Sequence, residues 1–513
     1  MEPSAIRYTG SQFHLSALTT LPTLFKSLWA RHLLAALLGA IAVSGFAPFY
    51  VYPAGVLSLA GFFYLVTTTA RRREAAWLGF TYGLGLFGAG IYWIYISLHD
   101  FGGMPFWMAG LATFLLCAFL ALFPAIVAAL ARSRPAHQML IALPLLWALS
   151  EWVRSWIFTG FPWLSIGYTQ VPDSPLAGYA PIIGAYGVSL VVALLASLLV
   201  SVYLHPARRR MGVVLMAGLI GCGWALKQIE WSQPEGEPVS VALLQGNVSQ
   251  DKKWNEEEVL RSMRQYYDMA LASQARLIIL PETALSVLLQ QVPQNYLDGL
   301  KQHAQTNGGD ILIGVVEYEH EQYYNSMMSV GSADTQFYRK SHLVPFGEFI
   351  PLKRVFGWIY RDWLNMPLAD VARGGLDQQP MQVAGQRVAV NICYEDVFGE
   401  EIIRQLPQAS VLVNTSNDAW YGESIAAYQH LQFSQMRAIE TARMMLRSTN
   451  TGATAIINPK GEVLAHAPHF IATTLEGEAQ GYVGTTPYVR FGNWPLLILL
   501  AGSLALLWGR KTK

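Results

Sequence analysis

Charged side chains are scarce in this chain of 513 residues. Asp, Glu, Lys and Arg together make up only 13% of the sequence, whereas hydrophobic residues make up 53%. A typical soluble domain carries about 25% charged residues. The deficit of charge, together with 16 Trp residues, indicates a membrane protein before any motif is considered.

An excess of charge of one sign is also missing, and cysteine is rare. The net charge is +1, which gives no indication of a nucleic-acid partner or of a strongly acidic one. The three cysteines are Cys117, Cys222 and Cys393, and the first two lie inside long apolar runs. Three scattered thiols form neither a disulfide framework nor a metal site, and nothing in the sequence calls for a cofactor.

Long apolar runs are abundant, although residues 1–24 do not have the pattern of a cleavable signal, so we expect the first run to stay as an uncleaved anchor. A bilayer-crossing helix needs about 20 apolar residues. The runs before residue 230 that meet this need lie at 27–47, 52–70, 75–98, 105–131, 138–157, 178–204 and 211–229. A shorter run at 494–508 brings the predicted bundle to about eight transmembrane helices.

The basic residues between these runs predict the orientation of the bundle. They cluster in every second loop and at the C-terminus, namely at Lys26 and Arg31, Arg71–Arg73, Arg132 and Arg134, Arg208–Arg210, and Arg510–Lys513. Short loops rich in Lys and Arg stay cytoplasmic. Both termini are therefore predicted to be cytoplasmic, and the long segment between the last two helices is predicted to be extracytoplasmic. The predicted division is 1–235 for seven helices, 236–487 for the outer domain and 488–513 for the final helix and tail.

The outer segment has the pattern of an α/β domain, because short β-rich runs alternate with amphipathic helices. The predicted strands are 239–244, 277–280, 311–316, 326–330, 388–393, 411–414 and 453–457. The predicted helices are 256–272, 296–305, 400–405 and 428–445. A segment of about 250 residues is long enough for one sizeable core.

Three reactive side chains of this domain are expected at strand ends or just after them. They are Glu282, Lys340 and Cys393, and the ends of core strands often carry active-site residues in α/β folds. A thiol is a strong nucleophile once ionised, and a carboxylate can take up its proton as a general base. A lysine cation can stabilise both the thiolate and an oxyanion. Taken singly, however, such a Cys is more often a small core residue, and such a Glu or Lys is usually a solvated surface charge.

The context of the three residues changes that interpretation. Glu282 lies in LPET (280–283), Lys340 in YRKSHLVPFGE (338–348) and Cys393 in NICYED (391–396), and NTSNDAW (414–420) and RAIE (437–440) follow. This order resembles the carbon–nitrogen hydrolase, or nitrilase, superfamily over nearly all of 238–485. The resemblance implies a Glu–Lys–Cys triad on an αββα sandwich.

The membrane part narrows the resemblance further. The chain contains GFAPF (45–49), Trp147, EWVR (151–154) and TGFPW (159–163). With these motifs, almost the full length except the first 25 residues resembles the apolipoprotein N-acyltransferase family of bacterial inner-membrane enzymes. That resemblance implies ping-pong transfer of an acyl chain from a phospholipid, typically phosphatidylethanolamine. The resemblance also implies that the acyl chain passes through a Cys393 thioester to the N-terminal amine of an S-diacylglyceryl-cysteine apolipoprotein. It further implies that the outer domain is periplasmic.

Other residues are expected to assist the triad or to admit lipid. Glu348 could hold Lys340, Glu395 could shape nearby pKa values, and Tyr394 could pack beside the thioester, although each could also be structural. The apolar segment 346–364 predicts a lipid entry, with Phe346, Phe349, Phe356 and Trp358 as its candidates, and Trp254 could line the same cleft. The alternative is that these aromatic residues fill the domain core.

Glu151 and Arg154 are two charged residues expected near the outer end of the fifth helix. They are three positions apart and so lie on one helix face. Charges at membrane depth are costly and are usually paired or functional. Contact with a lipid headgroup and a plain stabilising pair within the helix are both consistent with this spacing.

Two other functions share parts of this pattern. A membrane-anchored amidase or nitrilase would use the same triad, but it needs one anchor helix rather than eight. A transporter or scaffold with an inactive nitrilase-like domain is disfavoured, because Glu282, Lys340 and Cys393 are all present. The bundle also lacks an obvious path of buried charges for ions.

Overall fold

The structure is a computed structural model that describes residues 27–250, 253, 255–350 and 370–509, without the side chains of residues 136 and 137. Its first part is helical. The helices are α1 (Leu28–Ala42), α2 (Pro53–Thr67), α3 (Arg72–Gly90), α4 (Trp93–Ile96), α5 (Phe106–Ala131), α6 (Ala136–Arg154), α7 (Ala180–Leu204) and α8 (Arg209–Lys227). They pack mainly through α1, α3 and α5 on one side and α2, α6 and α7 on the other.

Several of these helices have the length and composition to cross a membrane. In the described part of the chain four do so alone, namely Leu28–Gly45, Phe106–Ala131, Pro175–Leu204 and Pro206–Lys227. Arg72–Gly90 and Trp93–Phe101 meet the same criterion as one span bent by 53°. Helix α2 is apolar but shorter, as is the C-terminal helix Trp494–Gly509. The expected apolar bundle is therefore present, and the count of eight crossings stays a prediction.

The described residues between the last two long helices form two six-stranded sheets. The strands are β1 (Ser232–Gln245), β2 (Leu277–Ile279), β3 (Asp310–Glu319), β4 (Gln322–Gly331), β5 (Phe337–Arg339), β6 (Met381–Val383), β7 (Gln386–Ile392), β8 (Val411–Ser416), β9 (Met445–Thr449), β10 (Ala455–Ile457), β11 (Val463–His466) and β12 (Thr473–Gly484). The first sheet has the order β12-β1-β2-β3-β4-β5 and the second β11-β10-β9-β8-β7-β6.

Three adjacent inner strands of each sheet are parallel, and the remaining pairings are antiparallel. Val241 pairs with Leu277 between β1 and β2, and Val390 with Val413 between β7 and β8. Parallel strands send their carboxyl ends to the same edge of a sheet. Side chains that follow β2 and β7 can therefore meet at one end of the sandwich.

The side chains of each sheet alternate between two apolar layers, as the period of two along a strand requires. Leu243, Ile279 and Val390 share the core between the sheets. The outer faces are covered by α9 (Glu256–Ala272) and α10 (Gln294–Thr306) on the first sheet, and by α11 (Gly399–Ile402) and α12 (Ala426–Thr441) on the second. This helix–sheet–sheet–helix order is the αββα sandwich that the resemblance implies. Helices α13 (Pro487–Phe491) and α14 (Trp494–Gly509) then return the chain to the bundle.

The local predictions were wrong at the ends of several elements and at five strands. The helix expected over 428–445 ends at Thr441, because Ala442 adopts a left-handed backbone with φ 51°, and Met445 begins β9. A non-glycine residue in this conformation gives little sequence signal. The expected helix 400–405 is the single turn α11 followed by a 3₁₀ turn over Ile403–Gln405. All seven predicted strands overlap observed ones, whereas β9 and the edge strands β5, β6, β11 and β12 were missed.

Helix α12 joins the sandwich to the helical bundle. Nearly all of its residues are buried, and its glutamine row (Gln429, Gln432 and Gln435) bonds groups of the bundle. Gln429 accepts hydrogen bonds from the indole N–H groups of Trp163 at 2.7 Å and Trp93 at 3.3 Å. Gln432 accepts from the Ala47 N–H at 3.1 Å, and Gln435 from the Tyr50 hydroxyl at 3.4 Å.

Gln429→Leu is expected to destabilise this junction. The change leaves two buried indole N–H groups without their acceptor and the Gly90 carbonyl without its donor. Each buried polar group that loses its partner costs about 1–3 kcal/mol. Thermal unfolding in detergent should show a lower melting temperature, and the exposed Gln302→Leu serves as the control. Equal melting temperatures for the two variants would contradict this role of Gln429.

Candidate active site

Glu282 emerges just beyond β2, at the carboxyl end of the parallel strands. Its side chain is buried, and the next residue, Thr283, has a positive φ of 46°. The chain turns closely over β3 here, since a Cβ on Gly314 would lie 2.2 Å from the Pro281 carbonyl oxygen. This tight elbow points the Glu282 carboxylate into the sandwich rather than into solvent.

Lys340 follows β5 and is 1% exposed. Its backbone N–H donates to the Asn325 carbonyl of β4 at 2.8 Å, which continues the sheet by one residue. Its backbone carbonyl accepts from the Gly374 N–H, also at 2.8 Å. The backbone on both sides of Lys340 is therefore fixed, and the side chain is directed inward between the sheets.

Cys393 follows β7 as the first residue of a 3₁₀ turn, Cys393–Val397. The predicted strand thus ends one residue early, because Cys393 has a left-handed backbone with φ 53°. Such a conformation costs on the order of 1–3 kcal/mol and recurs at functional sites. The Cys393 carbonyl accepts from the Asn414 amide at 3.3 Å and lies 3.1 Å from Nε2 of His430, and these contacts hold the turn in place.

Hydrogen bonds join the two carboxylates and the lysine into one cluster. Lys340 Nζ lies 3.2 Å from Oε1 of Glu282 and 3.0 Å from Oε1 of Glu348. The Asn325 amide donates to the same two oxygens, at 2.8 Å and 2.9 Å. The other oxygen of Glu282 accepts from the Asn417 backbone N–H at 2.9 Å. The structure therefore brings Glu282, Lys340 and Glu348 together as the sequence predicts.

The electrostatics of this cluster favour an ionised Glu282 carboxylate and a neutral Cys393 thiol. Burial opposes the ionisation of Glu282, but Lys340, Asn325 and Lys253 outweigh it and lower the pKa of that carboxyl. Burial also disfavours the Lys340 cation, yet Glu282 and Glu348 hold its pKa well above the usual range. Burial and the neighbouring Glu282 raise the pKa of the Cys393 thiol, against the opposing effect of Lys340. The structure thus holds an ionised Glu282 carboxylate and a protonated Cys393 thiol that interact electrostatically.

Glu395 binds backbone groups rather than the predicted nucleophile. Its carboxylate accepts from the N–H groups of Ser341 at 2.5 Å, His342 at 3.0 Å and Ile392 at 2.7 Å, and from the Tyr338 hydroxyl at 3.0 Å. These contacts tie the segment that carries Lys340 to the strand that ends before Cys393. The Tyr394 hydroxyl instead donates to the Gly160 carbonyl of the bundle at 3.0 Å.

Glu395→Gln is expected to change how stability depends on pH. Burial raises the pKa of Glu395 to about 7, and the backbone N–H groups offset this only in part. A carboxyl whose pKa is higher in the folded than in the unfolded protein stabilises the folded state fully below about pH 4.5. This contribution to the free energy of unfolding is lost as the pH rises through 7. Gln does not titrate, so the melting temperature of the parent protein should fall relative to that of the variant between pH 5 and pH 8.

For a pKa shift of this size, the free energy of unfolding of the parent protein should fall by about 3 kcal/mol relative to that of Glu395→Gln over this pH range. The exposed Glu478→Gln is the matched control, and it should leave the pH dependence of the parent protein unchanged. Parallel melting curves for the parent protein and Glu395→Gln across this range would refute the assignment.

A second buried network lies behind the Cys393 turn, and the sequence contained only an indirect signal for it. His430 Nδ1 lies 3.0 Å from Asp418, whose other oxygen accepts from Arg447 at 2.9 Å. Arg447 also donates to Asn414 at 2.5 Å, and all four side chains are fully buried. The 414–420 motif contains two of them, but their contacts to α12 and β9 depend on the tertiary fold. Asn325 and Lys253 gave no sequence signal, because neither lies in a quoted motif.

The predicted lipid-access residues fall into three groups. Phe346 is 41% exposed, and Phe349 is half-buried with the Arg373 guanidinium 5.5 Å from its ring centre. Trp254, Phe356 and Trp358 lie outside the described residues.

Glu151 and Arg154 form the third group, and both are buried with protein partners. Glu151 accepts from the Trp147 indole at 2.9 Å and the Ile166 N–H at 2.8 Å. Arg154 donates to the carbonyls of Phe161 and Trp163, each at 2.6 Å. Their side chains therefore secure the 161–166 loop, and the two charges also interact with each other.

Within the described ranges, no group of three or more His, Cys, Asp or Glu side chains is arranged to hold a metal ion. The chemistry of the cluster needs only a thiol, a proton acceptor and a cation.

Comparison with known proteins identifies the family. Residues 38–198 match the apolipoprotein N-acyltransferase N-terminal domain, and residues 240–488 match the carbon–nitrogen hydrolase family. An apolipoprotein N-acyltransferase from Nitrosomonas europaea is 53% identical over 485 residues, which cover 92% of this chain and 97% of that protein. The corresponding protein of Chromobacterium violaceum is 45% identical over 489 residues, covering 93% and 94%.

A third relative of the same name, from Ralstonia nicotianae, is 47% identical over 492 residues, covering 92% of each chain. All three relatives match both the helical part and the sandwich. The family predicted from the sequence motifs is confirmed, and the chain belongs to the apolipoprotein N-acyltransferase family.

Proposed function

We propose that this protein transfers an acyl chain from a phospholipid, typically phosphatidylethanolamine, to the N-terminal amine of an S-diacylglyceryl-cysteine apolipoprotein. The observation that carries the proposal is the buried cluster of Glu282 and Lys340, which interacts electrostatically with Cys393 in a hydrolase-fold domain joined to apolar helices. The 53% identity to a relative named for this activity supports the same conclusion.

In the first half-reaction Glu282 takes the proton of Cys393, and the sulfur attacks the carbonyl carbon of the phospholipid ester. The charge of Lys340 stabilises the oxyanion, and backbone N–H groups after Cys393 assist it. The ester C–O bond then breaks, and Glu282 returns the proton to the departing alkoxide. A lysophospholipid leaves, and a thioester remains on Cys393.

In the second half-reaction the free amine of the apolipoprotein attacks the thioester carbon. Glu282 accepts a proton from the nitrogen, the C–S bond breaks, and the thiolate of Cys393 is protonated again. One C–N bond replaces one C–S bond, so the enzyme returns to its starting state. The direction is favourable, because a thioester is more reactive than the amide that forms. No step requires a cofactor.

The proposed location is the bacterial inner membrane. The alternation of basic loops supports cytoplasmic termini and a periplasmic catalytic domain. The proposed division is 1–235 for the bundle, 236–487 for the catalytic domain and 488–513 for the last helix and tail. A donor and an acceptor that are both lipidated would then reach the site from the bilayer.

The proposal is tested with the purified full-length protein and phosphatidylethanolamine labelled in its acyl chains. A synthetic peptide with an S-diacylglyceryl cysteine at its N-terminus should gain one labelled acyl group in an amide bond. The same peptide with an acetylated N-terminus is the matched control and should gain none. Release of labelled fatty acid without any acylated peptide would overturn the proposal and favour a membrane-anchored hydrolase.

A further inference from the structure

A second lysine lies beside the proposed base. Lys253 is 4% exposed, and its Nζ lies 2.6 Å from the Thr283 hydroxyl and 3.5 Å from the Glu282 carbonyl oxygen. Its charge interacts with the side chains of Glu282 and Cys393. The two half-reactions described above assign no task to this side chain.

The hydroxyl that Lys253 contacts belongs to a strained part of the chain. Thr283 is β-branched, and a positive φ of 46° is unusual for such a residue. The preceding carbonyl of Pro281 is close to β3, since a Cβ on Gly314 would approach it to 2.2 Å. The conformation of the elbow sets the direction of the Glu282 carboxylate, so a contact that fixes Thr283 also fixes the base.

The Lys253 ammonium group is also the second positive charge in a site that contains two carboxylates, Glu282 and Glu348. Among the described residues, Glu282 and Cys393 are the titratable groups that act on Lys253. Lys340 and Glu348 form the neighbouring ion pair at 3.0 Å. Burial lowers the pKa of Lys253 to about 8, although Glu282 and Cys393 oppose this shift. Lys253 is therefore mainly cationic at neutral pH and loses its charge in mildly alkaline solution.

We propose that Lys253 is a positioning residue for the acyl-transfer reaction, which holds the Glu282–Thr283 elbow and supplies a second positive charge to the Glu282–Cys393 pair. The inference rests on the proposed function, because it treats Cys393 as the nucleophile. A positive charge close to the thiol favours the thiolate. Lys253 therefore stabilises a negative charge on the pair, whether it lies on the Glu282 carboxylate or on the Cys393 thiolate.

The test measures how fast iodoacetamide alkylates Cys393 in the full-length protein, followed by peptide mass between pH 7 and pH 9.5. The variants are Lys253→Met, which removes the charge, and Lys253→Arg, which keeps it. The exposed Lys301→Met is the matched control. Only the thiolate reacts, so the rate at a given pH reports the ionised fraction of the thiol.

Lys253→Met should react about tenfold more slowly than the parent protein at pH 7, because loss of a nearby opposite charge raises a pKa by about one unit or more. This ratio should fall towards one as the pH passes 8, since Lys253 then becomes neutral in the parent protein as well. Lys253→Arg should stay within about threefold of the parent protein, and its rate should remain above that of Lys253→Met at pH 9.

Superimposable pH profiles for Lys253→Met and the parent protein would overturn the inference. So would a Lys253→Arg variant as slow as Lys253→Met, because the charge would then have no effect. Alkylation does not need a phospholipid. If the parent protein fails to form an acyl-enzyme but its alkylation depends on Lys253 as described, the proposed function fails and the electrostatic role of Lys253 stands.

Discussion

Cys393→Ala is expected to abolish acylation of the protein by phospholipid. Removing the nucleophile of a covalent mechanism costs on the order of 10⁴-fold or more in rate. Intact mass after incubation with phosphatidylethanolamine should show a gain of one acyl chain in the parent protein, sensitive to hydroxylamine, and no gain in the variant. Cys393 is the nucleophile in this prediction because its strained turn ends the strand beside Glu282 and Lys340.

The two other cysteines provide the control. Cys222 is exposed and Cys117 is buried in the helical bundle, and neither lies in the sandwich. Cys222→Ala should gain the acyl chain as fast as the parent protein. A hydroxylamine-sensitive adduct that persists in Cys393→Ala would place the thioester elsewhere and defeat the ping-pong scheme. Absence of any adduct in the folded parent protein would have the same effect.

Glu282→Gln is expected to slow formation of the acyl-enzyme but to speed up alkylation of the Cys393 thiol. Loss of a general base lowers a rate by about 10²–10⁴-fold, so formation of the acyl-enzyme should slow by that factor. The Glu282 carboxylate, however, also raises the pKa of Cys393. Its neutral replacement should therefore increase the thiolate fraction, and alkylation by iodoacetamide should become faster rather than slower.

Opposite changes of the two rates are the diagnostic result. A general collapse of the site would slow both reactions, and a carboxylate without a role in proton transfer would leave acylation unchanged. Glu348→Gln is the informative comparison, because Glu348 contacts the same Lys340 ammonium at 3.0 Å. It should slow acylation less than Glu282→Gln if proton transfer passes through Glu282 alone.

The sequence could single out Glu282, Lys340 and Cys393 as the proposed triad because they sit in three ordered motifs, each just after a strand. It could not predict Asn325, which joins Glu282 to Glu348, because the backbone of β4 and β5 brings that amide into place. Lys253 is similar, since its partner Thr283 is 30 residues away in the sequence. Contacts between distant elements leave no local pattern that could identify them.

Backbone conformation was the second source of error. The predicted strand through Cys393 and the predicted helix through Met445 were both too long, and in each case a non-glycine residue with positive φ lies next to the true end. Side-chain patterns report which faces are buried, but they do not report such reversals. Glu151 and Arg154 show a related difficulty, because their spacing suggested a shared helix face but not the loop that each one binds.

Helix α12 has a consequence for how the protein can be divided. Phe433 packs edge-on against Trp163 at 4.7 Å and Tyr168 at 4.6 Å, while His430 on the same helix contacts the Cys393 carbonyl. A sandwich expressed without residues 1–231 would expose Phe433 and the glutamine row to water and would loosen the support of its own nucleophile. The two parts are therefore expected to behave as one folding unit, in which α12 needs the bundle to cover its buried side chains.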